Sequence, residues 1–305
     1  MEQRGEKRLK GEYQYQKALT ALQKGNWLQA FQILLELVEH FPQFMPAYRE
    51  LALISWDTGH YAFAREVLEE ALKHEPLDQE CNFLLGNILY MEGAYREALH
   101  HYARARGKGE GSPELAYNMG LCYRQTGNLD KAISYFRLAF NLAPDMVEAL
   151  LALGSCNLEL GDLEEAEELL WKALELDPSS AEAYHLLGTA QAQREKWEEA
   201  LVLWEEAIAI EPNRPETLRQ MGWAHHMMGE KELAIEYLEA SIRLYPEFIQ
   251  ARFDISLIYM QDLRIKEAME HLKAILDVEP QNPLALRYLE EVRRIEEYME
   301  REQEA

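Results

Sequence analysis

Apolar residues recur along this chain at the spacing of one face of an α-helix, and the pattern is interrupted at short regular intervals. In the segment 181–193, Tyr184, Leu187, Gly188 and Gln191 fall on one side of a 3.6-residue helix. A second apolar stripe follows at Ala200, Trp204 and Ala207, after a polar turn. The pattern predicts two antiparallel helices in sequence, each with one side to bury. It then repeats. "PSSAEAYHLLG" at 178–188 is matched 34 residues earlier by "PDMVEALLALG" and 34 residues later by "PNRPETLRQMG".

Aligning the chain on that period places Pro42, Pro76, Pro144, Pro178, Pro212, Pro246 and Pro280 in one slot, with Glu110 in the remaining copy. Counting that slot as position 32 gives eight units: 11–44, 45–78, 79–112, 113–146, 147–180, 181–214, 215–248 and 249–282. Position 20 is alanine in every unit, from Ala30 to Ala268. Position 8 is always small, and position 24 is always large, as at Tyr102, Phe136 and Trp204. Glycine inside a helix costs about 1 kcal/mol against alanine, so five glycines at position 8 imply that the partner helix needs the room. Position 15 is glycine except at Glu195 and Leu263. A glycine there ends the first helix in a backbone conformation other residues resist, and proline at 32 ends the second.

A 34-residue period with large-x-x-Leu-Gly-x-x-Tyr, then Ala-x-x-x-Phe, then Pro resembles the tetratricopeptide repeat (TPR) family. The resemblance implies an all-α fold, a right-handed TPR α-solenoid of eight helix-turn-helix repeats. Residues 283–305, which begin like another first helix with Leu286 and Leu289 at positions 4 and 7, are expected to form a C-terminal capping helix and tail. Residues 1–10 are expected to form a basic, flexible N-terminal segment. The glycine-rich joint at 107–112 reads either as a hinge or as a degenerate turn, with Ser112 and Pro113 as N-cap and first-turn residue.

The resemblance also implies that first helices line a concave groove with positions 2, 5, 9 and 12. Reading that stripe gives a candidate peptide-binding surface of Arg49, Leu53, Trp56, Phe83, Asn87, Tyr90, Tyr117, Leu121 and Arg124. Farther along it holds Arg219, Trp223, His226 and Phe253. Each aromatic could instead fill a gap between neighbouring helices, but together they favour a binding face. Glu12, Glu80, Glu114, Glu148, Glu182 and Glu216 share position 2. They either select a basic ligand or stabilise helix N-termini through the dipole. The carboxylate clamp found in some TPR domains is absent: Asn87 and Asn118 match it, but Phe83, Glu148 and Ala152 occupy its basic places.

Composition narrows the function further. The formal net charge of −23 disfavours nucleic acid as a partner and favours cationic ligands. Cys81, Cys122 and Cys156 show no metal-binding spacing and suit a reducing compartment. No run is apolar enough for membrane insertion, and the first residues do not read as a signal peptide. A cytoplasmic location is expected. The pairs His100–His101 and His225–His226 point about 100° apart on a helix and cannot chelate as pairs. No phosphate loop or catalytic motif occurs, so no cofactor, metal or enzymatic activity is expected. The reading is a non-catalytic adaptor or scaffold. Its partners would be other proteins, contributing a peptide segment of apolar or aromatic and basic character. The alternative is a homo-oligomeric scaffold that assembles through its ends or its N-terminal segment.

Overall fold

The computed structural model describes residues 2–109 and 111–304, with side chains described for 9–109 and 111–298. The described residues form seventeen helices and no strand. By compactness the chain divides into two units, Met1–Ala149 and Leu150–Ala305.

In the first unit, consecutive helices pair as hairpins: α1 (Glu2–Gln23) with α2 (Trp27–His40), α3 (Met45–Asp57) with α4 (Tyr61–His74), α5 (Gln79–Met91) with α6 (Tyr95–Arg106), and α7 (Pro113–Gln125) with α8 (Leu129–Leu142). Helix α9 (Val147–Leu160) crosses the division between the units. In the second unit the elements are α10 (Leu163–Leu176), the hairpins α11 (Ala181–Gln193) with α12 (Trp197–Ile210), α13 (Pro215–Met227) with α14 (Lys231–Leu244), and α15 (Ile249–Gln261) with α16 (Ile265–Val278), then α17 (Pro283–Glu304).

Within each unit, the helices of a hairpin pack on each other and on those of the next. Ala30, Ala64, Ala98 and Ala132 at position 20 are all fully buried, because only a methyl fits where the two helices cross. The position-24 residues Leu34, Leu68, Tyr102 and Phe136 form the centre of the first unit's core beside them. Leu170, Trp204, Leu238 and Leu272 do the same in the second. The first helices of neighbouring hairpins also touch, α3 with α5, α5 with α7, α11 with α13 and α13 with α15. Their outward stripes are thereby brought side by side within each unit.

Three expectations require correction or refinement. The segment expected to be flexible is helical from Glu2, continuous with α1; no proline or glycine pair interrupts it, and helices propagate once nucleated. Helix α17 buries Ala285, Leu289 and Val292, whereas Leu286 is 44% exposed. Among the described residues no second helix covers the side of α17 on which Leu286 lies. The joint between α6 and α7 carries the expected N-cap, Ser112 accepting a hydrogen bond from the Leu115 amide at 3.2 Å; Glu110 lies outside the described residues.

Candidate functional site

The stripe read from the sequence lies outside the core. Of its thirteen residues Leu53 is exposed and the other twelve are half-buried. Arg49, Leu53 and Trp56 are carried by α3, Phe83, Asn87 and Tyr90 by α5, and Tyr117, Leu121 and Arg124 by α7. In the second unit α13 carries Arg219, Trp223 and His226, and α15 carries Phe253.

Two adjoining pockets open between α3 and α5. The first, about 180 Å³, is lined by Ala52, Leu53, Trp56, Leu68, Leu84, Asn87 and Ile88. Asn87 is its only polar wall. The second, about 230 Å³, is lined by Tyr15, Pro46, Arg49, Glu50, Leu53, Glu80, Phe83 and Leu84. Leu53 and Leu84 belong to both, so five predicted residues, Arg49, Leu53, Trp56, Phe83 and Asn87, meet in one place.

The polar groups there are held in position. Asn87 Oδ1 accepts from the Tyr102 hydroxyl at 2.8 Å and from Asn118 Nδ2 at 3.0 Å. With its oxygen doubly engaged, the Asn87 amide is fixed in orientation and its NH₂ remains available as a donor. Burial pushes the Tyr102 phenol well above its ordinary value, so it remains a neutral donor. Arg49 pairs with Glu80 and stands 3.7 Å from Asp78. The Tyr15 hydroxyl donates to Glu50 at 3.2 Å. One guanidinium among Glu50, Asp78 and Glu80 leaves the second pocket with an excess of negative charge.

The aromatics are not all free for a ligand. Phe83 packs against Tyr102 at 6.1 Å, Tyr117 against Phe136 at 5.5 Å, Tyr90 against Tyr95 at 5.5 Å, and Trp56 edge-on to Tyr61 at 5.2 Å. Each thus spends one side on its own hairpin. Tyr117 and Tyr90 both have phenols raised chiefly by burial. In the second unit Arg219 Nε donates to Asp254 at 2.6 Å, Trp223 stacks obliquely on His226 at 5.3 Å, and Phe253 meets Tyr288 at 6.4 Å. Burial raises the Asp254 carboxyl, against the opposing pull of Arg219.

The periodic reading missed Tyr15, Glu50 and Leu84. Tyr15 occupies the groove position 5 of the first unit, and Glu50 and Leu84 share position 6 of consecutive units. Adding position 6 to the stripe would have found both. Among the position-2 carboxylates, Glu80 and Glu182 are engaged by Arg49 and Arg214. Among the described residues no group of three His, Cys, Asp or Glu could hold a metal ion, and no helix is long and apolar enough to cross a membrane.

Comparison with known proteins agrees with the geometry. The family described as the Cilia and flagella-associated protein 70 C-terminal domain, a TPR family, matches residues 77–283. No curated protein matches the sequence significantly. A tetratricopeptide repeat protein from Parabacteroides merdae superposes with a TM-score of 0.69 at 20% identity, over 80% of this chain and 97% of that one. Cut9–Hcn1, a hetero-tetramer of the APC/C, gives a TM-score of 0.66 at 17% identity over 89% of this chain; only 55% of that chain is spanned. YrrB, described as a TPR protein with an unusual peptide-binding site, gives 0.53 at 24% identity over 61% of this chain and 95% of that one. At these identities the solved structures show the fold. It is an all-α TPR repeat fold, the architecture of a protein–protein interaction scaffold.

Proposed function

This chain belongs to the family of the Cilia and flagella-associated protein 70 C-terminal domain, and we propose that it is a non-catalytic adaptor of the cytoplasm that holds a short segment of another protein against α3, α5 and α7. One observation carries the reading: the two adjoining pockets that share Leu53 and Leu84. The pocket floored by Ala52, Leu68 and Ile88 accepts an aliphatic or aromatic side chain. Its neighbour, with Glu50 and Glu80 at the wall, accepts the head of an arginine or lysine. The Asn87 NH₂ donates to a peptide carbonyl between them. Because the site is built on packed helices, the adaptor loses little conformational freedom on binding. Tyr90, Tyr117, Leu121 and Arg124 extend the surface for a longer segment. The peptide-binding description of YrrB favours the same class of ligand.

The reading is tested by selecting peptides from a displayed random library and measuring their affinity by fluorescence anisotropy. Enriched peptides combine an apolar or aromatic residue with a nearby arginine or lysine. Leu53→Asp abolishes their binding, and Glu50→Gln with Glu80→Gln weakens it most at low salt. Selected peptides that bind the Leu53→Asp protein as well as wild type would place the binding surface elsewhere.

A further inference from the structure

Tyr13 stands at position 3 of the first 34-residue unit. Its counterparts Ala47, Cys81 and Leu115 are 0–4% exposed, covered by the hairpin before them; Tyr13 is 69% exposed. Lys17 and Thr20, also exposed, occupy the places of the buried Leu51 and Ile54. The uncovered side of α1 forms two grooves against α2 that share Tyr13. One is floored by Leu9, Ile33, Leu37 and Phe41, the other by Ala21. Lys10, Lys17 and Lys24 line their edges and recur every seven residues; Lys10 and Lys17 stand about 10 Å apart on one face of α1, and Lys24 follows directly after its last residue, Gln23. Among the described residues none of the three is paired with a carboxylate.

This end face restricts its own occupant. Another hairpin stacked in the ordinary register would bury Lys17 where its counterparts are leucine, methionine or isoleucine, an unpaired charge in an apolar seam. Two copies meeting through the same face would set lysine stripe against lysine stripe. The occupant must bring carboxylates at helical spacing and a large apolar side chain for the groove.

Helix α10 has that pattern. Its outward stripe is Glu164, Glu168, Trp171 and Glu175, with Trp171 50% exposed. Glu164 is shared with Arg194 at 3.1 Å. Glu168 and Glu175 are seven residues apart, matching the lysine interval, and neither is ion-paired among the described residues. We propose that the α1–α2 end face docks on α10 of a second copy, Trp171 entering the groove beside Leu9 and Tyr13 while Glu168 and Glu175 face consecutive lysines. The two faces are different, so the contact is heterologous and each pair still carries one open face of each kind. Assembly therefore grows with concentration. Exposed ion pairs are weak and screened by salt, so the association is reversible and salt-sensitive.

Sedimentation velocity over a concentration series, at low and high salt, tests this. The expected result for wild type is a mass that rises above the monomer with concentration at low salt and falls back at high salt. The triple variants Lys10→Ala/Lys17→Ala/Lys24→Ala and Glu168→Ala/Trp171→Ala/Glu175→Ala each remain monomeric, with helical content unchanged because every substituted side chain is exposed. An equimolar mixture of the two variants forms a one-to-one pair and nothing larger, since one competent interface remains. Wild type that stays monomeric throughout overturns the proposal. So does association that survives in either variant, or a mixture that fails to pair.

Discussion

Trp204 packs against the backbone of Gly188: a Cβ on that glycine would stand 2.5 Å from Trp204 Cδ1. The same indole donates from Nε1 to the His185 carbonyl at 3.0 Å, which fixes the ring in place. The relationship recurs at Gly86 with Tyr102 and at Gly120 with Phe136, each with a position-24 ring atom 2.6 Å from where the Cβ would be. The room that glycine leaves in the first helix is filled by a side chain of the second.

The first prediction follows. Gly188→Ala is expected to destabilise the protein by about 2 kcal/mol, overpacking and a disturbed Trp204 bond outweighing the better helix propensity of alanine. The second 34-residue repeat already uses an alanine–leucine pair, Ala52 with Leu68, at these two positions. Gly188→Ala/Trp204→Leu is therefore expected to be more stable than the sum of the two single changes implies. Denaturant unfolding of the four proteins measures the coupling.

Glu195 and Leu263 stand where six other units have glycine, and both adopt φ of 58°. A side chain in that left-handed region is strained. Glu195→Gly and Leu263→Gly are each expected to stabilise by about 1 kcal/mol, read as a rise in Tm. The converse, Gly59→Ala, places a methyl in open space at φ +78° and is expected to cost about the same, from backbone strain alone.

His271 stacks on Tyr259 at 5.7 Å, and burial depresses its pKa below the ordinary 6.5. The folded chain resists the proton that the unfolded chain accepts, so this contribution to stability is present above pH 6.5 and is lost as pH falls towards the folded value. His271→Phe keeps the stack without the titration. Its Tm relative to wild type is expected to rise between pH 7.5 and pH 5; an offset independent of pH would contradict this assignment.

Tyr102 and Asn87 couple the core to the candidate site. Tyr102→Phe removes the hydroxyl that holds Asn87 Oδ1 and is expected to cost about 1 kcal/mol of stability. It is also expected to weaken peptide binding, although residue 102 is buried and lies outside the groove. Parallel unfolding and anisotropy measurements separate the two effects.

Local information accounts for what the sequence alone determined. The 34-residue period, the helix starts at Met45, Gln79 and Pro113, and the turn after position 15 depend on residues three or four apart and on the backbone limits of glycine and proline. These constraints act within one hairpin. What only the tertiary structure decided was which stripes are covered. Periodicity could not tell that Tyr117 would lean on Phe136 or that Leu53 and Leu84 would wall two pockets at once. Nor could it tell that Ala47 would be sealed while Tyr13, at the same position, faces solvent. Coverage is set by the neighbouring hairpin, whose residues lie a full repeat away, and a helix of given amphipathicity is compatible with several ways of packing against it.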